Sequence, residues 1–350
     1  MTLPSDERLG RLWAKRYRLD AVVGVGSVGT VFRAWHIGLG KTVAVKVIHP
    51  ELSSDRTSRK RFEREARAAS HLSHPHCMEV LDFGECEDES LFMVMEFVDG
   101  IDLATMLETN ELLDYPRILH IVRQVVHALD RAHKTGIVHR DLKPENVMVT
   151  QVHRVHPDMV KVLDFGIAKL LDGSSVATDS FRTFTGMVPG TPHYMSPEQA
   201  RGEEVDGRSD LYSLGVMLYE LVTGDVPFDA KSPLKVISMH LQQEPKRPLR
   251  RGRAIPADLE TLIMNLIRKD RDERPNSTME VLEHLNRMDT KGWEDFDEET
   301  LASSIPEATD TPTRFASTLL PRGGVGSWMV PIGLVGGLVA IVVFLIMAFR

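Results

Sequence analysis

The segment His139-Arg140-Asp141-Leu142-Lys143-Pro144-Glu145-Asn146 and the triplet Asp164-Phe165-Gly166 place acids, an amide and cations on either side of two short apolar runs. Those runs, residues 147–149 and 160–163, read as antiparallel strands, so the residue before the first must lie beside the residue after the second. Asn146 and Asp164 become neighbours. An amide oxygen next to a carboxylate offers hard oxygen ligands for a magnesium ion that keeps its waters and bridges phosphates. Asp141, on the same loop, is placed to accept a proton from an attacking hydroxyl.

Upstream, Gly24, Gly26 and Gly29 stand in a Gly-x-Gly-x-x-Gly pattern followed by Thr30 and Val31. Alone, such a pattern marks a plain turn as readily as a nucleotide site. With strands on both sides it becomes a hairpin whose bare backbone can approach phosphates, unlike the strand-to-helix turn of a dinucleotide fold. Ala44 and Lys46 lie two apart, on one face of the next strand. A half-buried lysine beside a phosphate-sized gap suits a phosphate ligand, with a solvated strand lysine as the plain alternative. Glu65 lies three residues after Phe62 and four before Ala69, on the inward face of a helix. A Lys46 to Glu65 ion pair would aim the ammonium at the phosphates; an unrelated surface carboxylate is the alternative.

The elements that must position these groups follow from periodicity. Strands are expected over residues 17–23, 30–35, 42–48, 77–83 and 91–97, with one helix over 59–72, in which Phe62, Ala66, Ala69 and Leu72 recur at helical spacing. After Asp99 the pattern turns helical, over 115–134, 209–223, 234–243, 257–266 and 278–287. A small β-rich lobe thus precedes a larger helical lobe, with a cleft lined near residues 98–100.

The chain has 350 residues and a net charge of -8, which argues against the basic surface a nucleic-acid partner needs. Its two cysteines, Cys77 and Cys86, exclude a disulfide scaffold and fit a reducing, cytosolic compartment. No secretory signal opens the chain, and residues 1–16 read as a short polar arm. Residues 289–328 read as an acidic linker containing proline and glycine, too poor in apolar surface to fold. The 21 uncharged residues that start at Met329 and close at Phe349 are long enough to cross a hydrocarbon core of roughly 30 Å. Arg314 and Arg322 before this span against Arg350 after it favour a cytoplasmic N-terminal side, and nothing but Arg350 is expected outside. Gly333 and Gly337, one turn apart, would let two such helices approach as a homodimer.

Taken in order, these motifs resemble the eukaryotic-type protein kinases, and specifically the bacterial serine/threonine kinases with a membrane segment. The resemblance spans about residues 17–288 and includes Val43-Ala44-Val45-Lys46 and Gly190-Thr191-Pro192 leading into Ser196-Pro197-Glu198. It implies an α+β, two-lobed kinase fold, with a small lobe over 17–98 and a large lobe over 99–288. ATP would be cradled by Val23, Gly24, Val25, Gly26, Ser27, Val28, Gly29, Thr30 and Val31, with Ala44 and Lys46. Met95 would stand behind the adenine, and Glu96 to Val98 would form the hinge that bonds it. Asn146 and Asp164 would hold magnesium, Asp141 would be the catalytic base, Lys143 would steady the transferring group and Glu65 would complete the catalytic set. Asp210 would anchor the catalytic loop, Arg274 would pair with Glu198, and Thr183 or Thr185 would be phosphorylated to engage a buried Arg140. Ser196, where alanine is commoner, and the long loop 151–159 with His153 and His156 depart from the pattern without touching a catalytic position. The resemblance implies protein serine/threonine phosphorylation in preference to a pseudokinase scaffold, a small-molecule kinase or an external receptor.

Overall fold

Alternating apolar residues build a six-stranded antiparallel sheet in the order β1-β2-β3-β4-β6-β5. Its strands are β1 (Leu12–Trp13), β2 (Tyr17–Val25), β3 (Gly29–His36), β4 (Lys41–Ile48), β5 (Val80–Glu85) and β6 (Leu91–Glu96). The structure, a computed structural model, describes residues 6–26, 28–53, 56–86, 88–108, 112–150, 158–165, 192–288 and 293. Alternation in β4 sends Val43, Val45 and Val47 to one face, while Ala44 and Ile48 join the cluster on the other. Lys46 falls on that second face, flanked in register by Val31 on β3 and Met93 on β6.

Both faces of this sheet are apolar, so both need cover. Helix α2 (Arg56–Ser70) lays Phe62, Ala66 and Ala69 on the second face, after the short α1 (Pro50–Ser53). The first face is covered by the segment the sequence suggests is a polar arm. Leu9 and Trp13 pack on Tyr17, Leu19 and Phe32, β1 pairs with Tyr17 and Arg18, and the Arg8 guanidinium sits 4.9 Å over the Phe32 ring. In place of the polar arm expected before residue 17, the described residues from Asp6 onward pack on the small lobe. The strand expected over 77–83 begins later, because Cys77 bridges to Val162 and the Met78 N–H donates to Val162 O at 2.9 Å, tying this stretch to the large lobe.

The large lobe packs α4 (Tyr115–Lys134), α6 (Gly207–Thr223), α8 (Ala257–Leu266) and α9 (Thr278–Arg287) around one core, with α7 (Pro233–Gln242) between α6 and α8 along the chain. Sequence periodicity does not announce α3 (Leu103–Glu108) or the two-residue β7 (Ile101–Asp102), which joins β8 (Val147–Thr150) and β9 (Met159–Val162) in a three-stranded sheet. Helix α4 starts on an Asp114 cap, whose side chain accepts from the Arg117 N–H at 2.7 Å. Beyond the domain end expected at residue 288, Trp293 is 7% exposed and meets the Tyr115 ring edge-on at 5.7 Å. A single aromatic anchor of this kind is invisible to a composition argument averaged over a linker. Among the described residues no helix is long and apolar enough to cross a membrane. Residues 329–349, Gly333 and Gly337 among them, lie outside the described residues, as do Ser27, the loop with His153 and His156, and residues 166–191 with Thr183, Thr185 and Thr191.

Candidate active site

Asp210, on the buried α6, holds the loop that carries Asp141. Its Oδ2 accepts the His139 N–H at 2.8 Å and His133 Nε2 at 2.7 Å, and its Oδ1 accepts the Arg140 N–H at 2.8 Å. Arg140 needs this support, since its φ of 65° is a left-handed conformation costing a non-glycine residue on the order of 1–3 kcal/mol. A further bond runs from Gln199 Nε2 to Arg140 O at 2.8 Å. Arg140 is half-buried, where a buried arginine was expected. His139 carries the constraint onward by donating from Nε2 to Leu163 O at 2.8 Å, which leaves Nδ1 to accept the Asp141 N–H at 3.3 Å.

The strand pair behaves as expected: Val147 lies opposite Val162, and the Leu163 N–H donates to Asn146 O at 2.8 Å. Asn146 Nδ2 donates to Asp141 O at 2.7 Å, so the amide nitrogen is engaged and Oδ1 is the atom left to act as a ligand. Lys143 Nζ lies 3.0 Å from Asp141 Oδ2, on a carboxylate still 44% exposed to an incoming group. Asp164, at φ 51°, turns its carboxylate into the cleft. Burial pushes that carboxyl up, but Lys46, with Lys143 behind it, outweighs burial and holds it below the usual carboxylate range.

The expected Lys46 to Glu65 pair is not made. Lys46 Nζ lies 2.7 Å from Asp164 Oδ2, while the Glu65 carboxylate accepts from Arg64 Nε at 3.1 Å and Nη2 at 3.0 Å. The reason lies in the packing of α2. Phe62, Ala66 and Ala69 take the inward face, and Glu65 sits on its edge at 22% exposure, so the buried ammonium turns to the carboxylate reaching up from the large lobe.

The three glycines are not equivalent. A Cβ at Gly29 would lie 2.2 Å from Val47 O, so glycine is required there for β3 to lie against β4. At Gly24 nothing lies within 4 Å, and at Gly26 only Gly29 O at 3.7 Å, which leaves open space beside both. Thr30 and Val28 are buried, Val31 is half-buried, and Val23 and Val25 are exposed along the same hairpin. Ala44 lies opposite Met95, which is buried, and Val98 is half-buried beyond it. Lys161 Nζ takes the Glu96 side chain at 2.7 Å, which leaves the backbone of that residue to meet a ligand.

Two contributors escaped the motif reading, Gln199 and His133. Gln199 was legible as the last member of a Ser-x-x-Gln capping box. Ser196 Oγ accepts the Gln199 N–H at 3.3 Å and Gln199 Oε1 accepts the Ser196 N–H at 3.0 Å, at the start of α5 (Pro197–Arg201). Ser196 thus has a capping role that alanine could not fill. The Arg274–Glu198 pair forms as expected, at 2.7 Å and 2.9 Å, with both side chains buried and Ser209 Oγ donating to the same carboxylate.

The sequence profile of the protein kinase domain matches residues 17–285. The chain is 47% identical over 293 residues to the serine/threonine-protein kinase pkn3 of Myxococcus xanthus, covering 82% of this chain and 52% of that protein. It is 36% identical over 319 residues to the serine/threonine-protein kinase PknB of Mycobacterium leprae, covering 90% and 48%. The chain thus spans about half the length of the curated relatives it matches. Among solved structures, the PknI kinase domain of Mycobacterium tuberculosis is similar with a TM-score of 0.61 and 30% identity, over 79% of this chain and 97% of that one. Rad53 1-466 in complex with AMP-PNP is similar with a TM-score of 0.62 and 30% identity, over 77% and 65%.

Proposed function

The chain belongs to the protein kinase family, and from that premise we propose that it transfers the γ-phosphoryl group of magnesium ATP to serine and threonine hydroxyls of proteins, itself included. The observation that carries the proposal is the convergence of Asp141, Lys143, Asn146, Asp164 and Lys46 on one cleft, through the bonds described above. Asp141 accepts the proton of the attacking hydroxyl as its oxygen bonds to the γ-phosphorus and the bond to the ADP oxygen breaks. Lys143, beside that carboxylate, offsets the charge on the transferring group. Asn146 Oδ1 and the Asp164 carboxylate suit a hard cation, and magnesium bound there supplies neutralisation of the phosphate oxygens. Lys46 serves the α and β phosphates once it leaves Asp164, and Glu65 is then the carboxylate on its own lobe able to hold it.

Membrane attachment is part of the same proposal. It is supported by the uncharged run from Met329 to Phe349, by the arginines Arg314 and Arg322 before it, and by the cytoplasmic supply of ATP. In this arrangement the kinase domain is cytoplasmic, Gly333 and Gly337 pair two spans, and phosphorylated Thr183 or Thr185 engages Arg140. The purified chain incubated with ATP and magnesium, its phosphosites mapped by mass spectrometry, tests the activity. Wild type should acquire phosphoserine or phosphothreonine. Asp141→Asn should lose about 10²-fold or more in kcat while binding ATP nearly as well, and retained turnover would remove Asp141 from its role. Protease protection in sealed vesicles tests the orientation.

A further inference from the structure

His49 follows β4, three residues beyond Lys46, and plays no part in the chemistry above. Its backbone is fixed on both sides: its N–H donates to Val28 O at 2.9 Å, and its carbonyl accepts the Leu52 N–H at 3.0 Å. Pro50 follows and restricts it to extended backbone. From this mounting the ring places Nε2 2.9 Å from Gly26 O. A carbonyl can only accept, so Nε2 must carry the hydrogen. Gly26 also donates its own N–H to Gly29 O at 3.0 Å, which closes the turn.

We infer that His49 is a positioning residue for the nucleotide: its Nε2–H pins the Gly26 carbonyl and so holds the glycine hairpin in register with Lys46 before ATP arrives. Glycine loses more conformational freedom on ordering than any other residue, and two of the hairpin's glycines have open space beside them. Without a tether, the nucleotide itself must order this hairpin, and its apparent affinity falls by that amount. The hairpin and Lys46 would both reach the phosphates, and the strand that carries Lys46 leads directly into the ring that fixes the hairpin. The inference rests on the proposed ATP-dependent function.

The test measures equilibrium binding of AMP-PNP with magnesium to the full chain, and separately the KM for ATP, the KM for a protein substrate and kcat. His49→Leu should raise the Kd for AMP-PNP and the KM for ATP about three- to tenfold, the worth of one such bond, with kcat at saturating ATP and the KM for protein changed less than about twofold. His49→Gln sets an amide N–H near the position of Nε2 and should recover most of the loss. His49→Asn has the same donor on a shorter arm and should not, so the Gln and Asn pair decides the matter even if the leucine variant fails to fold. An unchanged Kd in His49→Leu, equal affinities in the Gln and Asn variants, or a fall in kcat with Kd unchanged would overturn the inference. If wild type bound AMP-PNP yet transferred no phosphoryl group, the proposed activity would fail while the Kd comparison still judged His49.

Discussion

Arg274 and Glu198 show how far a single residue depends on its partner. The guanidinium spends its donors on Glu198 and on the carbonyls of Arg208, Arg268 and Lys269, with the Tyr212 ring 4.8 Å away. Removing one member of such a pair strands the other charge in a dry interior, so Arg274→Ala should cost about 3–5 kcal/mol in urea unfolding. A loss below about 1 kcal/mol would mean that water reaches the site. Burial pushes the Glu198 carboxyl up, but the bonds from Arg274 and Ser209 outweigh it and leave the group below its ordinary 4.5. A lowered folded value stabilises above the unfolded value and is lost as pH falls through the folded one. Unfolding free energy should therefore decline on acidification below about pH 4.5. In Glu198→Gln, already destabilised at neutral pH, that part of the slope should flatten.

At the scale of elements, stability depends on how ends and faces are finished. The capping box at α5 satisfies two backbone donors, and Gln199 then reaches the strained Arg140 turn. Ser196→Ala should cost about 1 kcal/mol, even though alanine is the residue the family resemblance makes commoner here. Matched urea curves for the two proteins check this, and superimposable curves would dismiss the cap. The sheet poses the same question on a larger area, because α2 covers one face and the residues before β2 cover the other. Trp13→Ala should destabilise the protein by about 3 kcal/mol or more, although Trp13 precedes the matched kinase profile. Thermal unfolding measures it, and a neutral result would return the segment to a loose arm.

Across the whole molecule, the described residues tie the lobes both behind and within the cleft. Behind the cleft, the Val162 N–H donates to His76 O at 2.8 Å, and Lys161 reaches Glu96. Within the cleft, Lys46 of the small lobe grips Asp164 of the large one. Glu65 pairs with Arg64 at the edge of α2, so Glu65→Gln should change stability by less than about 0.5 kcal/mol. On the proposed mechanism it should nevertheless lower kcat, because Glu65 would hold Lys46 once that side chain turns to the phosphates. Asp164→Asn should instead destabilise the free protein by about 2 kcal/mol or more, since it leaves a buried ammonium without its counter-charge. Denaturation without nucleotide beside steady-state assays separates the two, and equal stability losses would contradict the arrangement.

The loop from His139 to Asn146, the strand pair that sets Asn146 beside Asp164, the longer helices after Asp99 and the face of β4 that carries Lys46 were legible in order along the chain. Each depends on local spacing or on strand register, and such short-range geometry survives in a linear reading. Tertiary structure decided the rest. Spacing placed Glu65 on the inner side of α2 but could not say that Phe62, Ala66 and Ala69 would claim the centre of that face and leave the carboxylate at its edge. Two acids competed for one ammonium, and only their distances could rank them. Gly24 and Gly29 are the same residue type, yet one has open space beside it and the other would clash with Val47 O, a difference created by strand β4. Trp13 and Trp293 lay in segments whose average composition is polar, and burial acts on the individual side chain that finds an uncovered apolar surface. Sequence determined which groups could react; packing determined which of them already hold one another.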